Sequence, residues 1–140
     1  VIEVDLRRFP LFARLAQDEL EALAARLEVR ELSPDQVVWR EGEGAAGLVL
    51  LEHGALRIES RREGELGRCE APASFGAASL VADGPRESSA SAAGAGRALL
   101  LSRTAFARLV EDSPRAAARL LSAIAADLAR TLREGLPFVA

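Results

Sequence analysis

The sequence predicts an α+β fold: a β-roll, of the double-stranded β-helix or jelly-roll kind, flanked by an N-terminal helix and two C-terminal helices. Apolar residues recur at helical spacing near the start, change to a period of two from Glu28 to Ala93, and return to helical spacing after Ser102. Turn residues punctuate the middle at intervals of roughly eight to twelve residues, the pattern of an all-β roll or barrel. One segment, Phe75 to Arg86, is too long for a hairpin and interrupts the strands late in the roll.

The N-terminal helical segment covers about residues 5–27. Its clear helix is Asp18 to Arg26, with Leu20, Leu23, Ala24 and Leu27 on one face and Asp18, Glu19 and Glu21 at the positive end of the dipole. Before it, Pro10 stops any longer helix and leaves Leu6, Phe9, Leu11 and Phe12 in an apolar turn. The roll, residues 28–102, reads as strands at Glu28 to Leu32, Val37 to Glu41, Gly47 to Leu51, Ala55 to Arg61, Gly64 to Glu70, Glu87 to Ala92 and Arg97 to Ser102. Turns fall at Ser33-Pro34-Asp35, Gly42 to Gly44, His53-Gly54, Glu63-Gly64 and Gly94 to Gly96. Within the interruption, Ala77 to Val81 favours a short helical turn. The C-terminal helices occupy residues 103–135. Ser102 caps the first, which carries Phe106, Leu109 and Val110, and Ser113-Pro114 opens the second with a cap and a proline at the first helical position. Leu120, Ile124, Leu128 and Leu132 form a stripe at four-residue steps, and Gly135 and Pro137 end the helix.

With 140 residues and 49% hydrophobic content, the chain suits a single domain, residues 1–140, with a core that needs no metal or disulfide. Its net charge is -3 and its 18 basic residues are all arginine, dispersed along the length, which argues against a nucleic-acid surface within this segment. Cys69 is the sole cysteine and reads as an ordinary strand residue, favouring a reducing compartment. No run reaches the roughly 18 apolar residues of a membrane span, and no secretory signal opens the chain, so no membrane partner and a cytoplasmic location are expected. The chain begins at Val1, not at a methionine, as an excised piece of a longer protein would. The lone His53 lies in a tight turn, and the carboxylates are scattered. Neither a metal site, nor a catalytic group, nor a cofactor is expected, and the chain is read as no enzyme. Trp39 is assigned to packing within the roll.

Several motifs carry a resemblance to the cyclic-nucleotide-binding domain family, of the cAMP receptor protein and protein kinase A regulatory subunit kind. Phe9-Pro10-Leu11-Phe12 resembles the opening segment of that family, and Gly42 and Gly54 stand where its loops turn, in Trp39-Arg40-Glu41-Gly42-Glu43 and Leu50-Leu51-Glu52-His53-Gly54-Ala55-Leu56. Residues 75–86, Phe75-Gly76-Ala77-Ala78-Ser79-Leu80-Val81-Ala82-Asp83-Gly84-Pro85-Arg86, are similar to its phosphate-binding cassette, which reads Phe-Gly-Glu-Leu-Ala-Leu, a few residues, then Pro-Arg and a small residue. The resemblance implies a regulatory ligand-sensing module. The backbone N–H groups of Gly76, Ala77 and Ala78 would cradle a cyclic phosphate and Arg86 would supply the fixed positive charge. It also implies a base contact at Thr131, and the stripe Leu120, Ile124, Leu128 and Leu132 itself points to a homodimer through the final helix.

Two departures weaken the ligand site. The family's ribose-reading glutamate is replaced by Ala77, which accepts no hydrogen bond, and such a bond to a charged group is worth about 1.5–3 kcal/mol. Glu87 stands where the family prefers a small residue or a hydroxyl. A carboxylate about 5 Å from the phosphate would cost about 3 kcal/mol at an effective dielectric near 20, unless strand alternation points it away. Binding of cAMP or cGMP is therefore expected to be weakened or lost. Two readings stay open: a sensor of a phosphate-bearing ligand, and a ligand-free dimerisation or docking module on the same fold. The unadorned reading of Arg86 is a surface arginine paired with Asp83 or Glu87, that of Gly76 a tight turn, and that of Thr131 a solvent-facing helix residue. The leucine stripe serves the domain's own core, a dimer, or both.

Overall fold

A computed structural model describes residues 4–135. Its contacts divide the chain into two compact units, the roll at Leu27–Thr104 and a helical unit made from the segments on either side. In the helical unit, 3-10 turns at Leu6–Arg8 and Pro10–Phe12 precede helix α1, Gln17–Ala24. Pro10 starts its turn, as its fixed φ and missing N–H favour. Phe9 and Phe12 pack edge to face with centroids 6.0 Å apart, and both are fully buried. Glu19 is buried on α1, where one carboxylate oxygen accepts the Ala16 N–H at 2.7 Å and lies 3.3 Å from Nη1 of Arg119.

Arg119 lies on the long final helix. The C-terminal helices are α2, Arg103–Asp112, and α3, Pro114–Gly135, with Pro114 as the first helical residue. Pro137, expected to close α3, lies outside the described residues. Leu120 and Ile124 are buried, whereas Leu128 and Leu132 are 44% and 56% exposed. Of the apolar residues expected to mark α2, Phe106 and Leu109 are buried and Val110 is exposed.

The roll consists of β1 (Glu28–Leu32), β2 (Val37–Trp39), β3 (Gly47–His53), β4 (Ala55–Ser60), β5 (Gly64–Glu70), β6 (Ala73–Phe75), β7 (Ser89–Ala92) and β8 (Gly96–Ser102). They form two antiparallel sheets with strand orders β1-β8-β3-β6 and β2-β7-β4-β5. Alternating side chains give the roll core of Leu32, Trp39, Val49, Leu51, Leu56, Ala90, Ala92 and Ala98. Among the departures from the sequence expectation, three bear on the site. Strand β6, pairing Val49↔Phe75, Leu50↔Ser74 and Leu51↔Ala73, was not expected, because a segment this short directly after Pro72 carries no periodic signal. Strand β2 ends at Trp39, where the chain turns with the Glu43 N–H donated to the Arg40 carbonyl at 3.1 Å. Strand β7 starts at Ser89, so Glu87 lies in a bend and strand alternation does not govern its direction.

Candidate functional site

Residues 84–86 are fastened to the loop before β3. The Arg86 N–H donates to the Glu43 carbonyl at 2.7 Å, the Gly42 N–H to the Arg86 carbonyl at 2.9 Å and the Ala45 N–H to the Gly84 carbonyl at 3.0 Å, around a bridge between Gly44 and Pro85. This short ladder fixes the base of the Arg86 side chain. The last residue of β6, Phe75, leads into Gly76, which has φ +74° and ψ 24°, a left-handed conformation that glycine adopts without steric penalty. A 3-10 turn follows at Ala77–Leu80.

Gly76 and Arg86 come together in space. A Cβ added to Gly76 would collide with Nη1 of Arg86 and stand 3.0 Å from the Gly47 carbonyl oxygen. The guanidinium donates to that carbonyl at 3.4 Å and lies 4.7 Å from the centroid of the Trp39 ring, whose other neighbour is the Phe75 ring at 5.2 Å. Half-burial lowers the Arg86 pKa from its ordinary value, and the nearby charge of Glu43 opposes that shift, yet an arginine starting so high stays cationic at neutral pH. The cation–π contact offsets part of the lost hydration.

The expectation that Arg86 pairs with Asp83 or Glu87 is corrected. Asp83 is the ion-pair partner of Arg103, the first residue of α2. Glu87 is exposed and forms no ion pair among the described residues. Glu43 is engaged by Arg40, whose backbone N–H donates to it at 3.4 Å. Among the described residues Arg86 therefore has no carboxylate partner. In the turn, the Ser79 N–H and hydroxyl both donate to the Gly76 carbonyl, at 3.0 and 2.6 Å. The N–H groups of Ala77 and Ala78 have no hydrogen-bond partner among the described residues. A cation with no ion-paired carboxylate among the described residues stands beside a glycine followed by unsatisfied donors, an arrangement suited to an anion.

Thr131 lies on α3 in the helical unit, exposed, with its hydroxyl donated to the Asp127 carbonyl at 2.9 Å. Sequence reasoning missed three contributors to the site. Trp39 forms the aromatic platform under the cation, Phe75 packs against that ring, and Gly47 supplies the carbonyl that receives the guanidinium. Gly47 holds φ +149° and a Cβ there would collide with the Leu101 carbonyl, a requirement that its isolated glycine at a strand start hinted at.

Comparison with known proteins gives the family of the fold. The family model described as Cyclic nucleotide-binding domain matches residues 29–113, and the chain belongs to that family. It is 30% identical over 128 residues to a cAMP-dependent protein kinase regulatory subunit from Mycosarcoma maydis, covering 89% of this chain and 23% of that protein. It is 33% identical over 116 residues to the HTH-type transcriptional regulator Cmr of Mycobacterium tuberculosis, covering 81% of this chain and 48% of the regulator. The chain thus spans less than half the length of either relative. Among solved structures, the N-terminal domain of a transcriptional regulator from Streptomyces coelicolor A3(2) superposes with a TM-score of 0.82 at 26% identity, over 96% of both chains. Among the described residues no helix is long and apolar enough to cross a membrane.

Proposed function

We propose that this regulatory domain senses a phosphate-bearing ligand through Arg86 and the N–H groups of Ala77 and Ala78, and that it holds cAMP and cGMP weakly or not at all. The observation that carries the reading is the guanidinium of Arg86, in contact with Gly76 and without a carboxylate partner. An incoming phosphate gains a charge-assisted bond to that guanidinium without first displacing an acid. It also satisfies two free donors at the start of the 3-10 turn. Nothing at Ala77 then accepts a ribose hydroxyl, and a cyclic nucleotide forgoes about 1.5–3 kcal/mol relative to a site with a carboxylate there.

Transmission follows from the far end of the insertion. Asp83 is tied to Arg103, so a ligand that repositions residues 77–86 acts on the first residue of α2. Only a difference in ligand affinity between the two arrangements can drive that shift. A second reading, a dimerisation module independent of ligand, is favoured by the exposure of Leu128 and Leu132 on α3.

Calorimetry with inorganic phosphate, cAMP and cGMP tests the proposal. Weak phosphate binding, lost in Arg86→Gln, is the expected result, together with cAMP at least about tenfold weaker than in Ala77→Glu, the factor one such bond supplies. Submicromolar cAMP binding by the wild-type chain would overturn it, and complete indifference to all three ligands would leave the dimerisation reading.

A further inference from the structure

A cavity of about 150 Å³ opens beside the roll core, with Arg86 in its wall. Its apolar wall includes Trp39, Val49, Ala98 and Leu100, and its charged groups are Arg30, Glu43 and Arg86. Among the described residues, Gly76, Ala77 and Ala78 take no part in its lining. It is thus a compartment of different lining that shares Arg86, and its Trp39 platform, with the cradle site. The volume matches that of an engineered apolar cavity able to admit benzene and lies below the roughly 300 Å³ at which drug-sized ligand pockets begin.

The charges select the ligand further. Arg30 is 3.5 Å from Glu28, and Glu43 is occupied by Arg40, leaving Arg86 as the lining cation with no carboxylate partner among the described residues. The guanidinium is held by Trp39 and the Gly47 carbonyl, neither of which neutralises it, and Glu43 acts on it through space without forming an ion pair with it. A ligand complementary to such a compartment has a small apolar body and one negative charge. We propose that the cavity binds a monocyclic aromatic carboxylate, its ring against the apolar wall and its carboxylate on the Arg86 guanidinium. Planar carboxylates suit the forked donors of arginine, and desolvation beside Trp39 strengthens the pairing. The site goes beyond the phosphate cradle and depends on that reading only in taking Arg86 as an anion receiver. Because one guanidinium serves both compartments, an aromatic acid and a phosphate compete for it.

The sequence contains one tryptophan and no tyrosine, so the fluorescence of the whole chain reports on Trp39. The test titrates the chain with benzoate, with its neutral analogue benzamide and with inorganic phosphate at constant ionic strength, following emission and heat. Saturable benzoate binding in the millimolar range or tighter, with benzamide at least about tenfold weaker, is expected. In Ala98→Leu, which fills the cavity without touching the cradle, benzoate affinity falls at least about tenfold and the phosphate response stays within about twofold. No saturable benzoate signal, equal binding of benzamide, or benzoate binding untouched in a folded Ala98→Leu each overturns the proposal. If that variant fails to fold by circular dichroism, the contrast between benzoate and benzamide on the wild-type chain decides. A benzoate response without a phosphate response sinks the cradle reading alone, and the converse sinks this one alone.

Discussion

At Gly76 a single added methyl group meets both a left-handed backbone and the guanidinium of the site. Its left-handed backbone costs an L-residue about 1–2 kcal/mol, and a Cβ would also press on the Arg86 guanidinium. Gly76→Ala is therefore expected to lose at least about 1 kcal/mol in chemical denaturation and to change Trp39 emission as the cation moves off the ring. Glu87 offers a complementary test. Its side chain is exposed and without an ion pair, so solvent screens it and Glu87→Ser should strengthen phosphate binding by no more than about threefold. A weakening would mean that Glu87 takes over the acceptor role missing at Ala77. At this scale the sequence made the cradle legible, because Phe75-Gly76 and Pro85-Arg86 are local patterns. It did not reveal the platform, since no rule of spacing links Trp39 to an arginine brought beside it by the ladder between residues 42–45 and 84–86.

Among the elements, α3 shows how one periodic stripe serves two environments. Leu120 and Ile124 are buried, and Leu120→Ala is expected to destabilise the chain by about 2–5 kcal/mol, as cavity-forming core substitutions do. Leu128→Ala should change stability by no more than about 0.5 kcal/mol, which is typical of surface positions. If the exposed half of the stripe mediates self-association, Leu128→Glu yields a folded monomer in sedimentation while the wild-type chain forms dimers. A four-residue period predicts a helix and its apolar face, but burial along that face depends on what stands opposite each turn. The same limit explains the strands. Glu28–Leu32 and Gly64–Glu70 were legible from alternation and flanking turns, whereas Ala73–Phe75 exists only because β3 offers it an edge. The start of β7 was misplaced because charge and alternation in Glu87 and Ser88 say nothing about the bond from the Glu41 N–H to the Ser89 hydroxyl at 2.8 Å.

For the whole molecule, overall order was the most legible property, since the switch of hydrophobic period from helix to strand and back survives every error in an individual boundary. The long-range pairs that hold the helical unit were not legible. Glu19 reads as an ordinary first-turn acid, yet it is 3% exposed and meets Arg119 from the other end of the chain. Arg119→Ala leaves that carboxylate without its half-exposed cation and is expected to lower stability by about 1–3 kcal/mol in thermal or denaturant unfolding, the range for a buried acceptor that loses a partner. The negative net charge and dispersed arginines predict no sequence-selective binding of duplex DNA by these residues, which a gel shift across a range of salt concentrations would check.

The unpaired amides of Ala77 and Ala78 give the molecule an isotopic signature. In deuterated solvent, N–H groups locked in the strands, and those of Ser79 and Arg86, exchange through opening of the structure, whereas these two are free to exchange from the closed form. A bound anion would cap them. The ligand-dependent slowing of exchange would then be greatest at these adjacent positions, marking occupancy of the cradle.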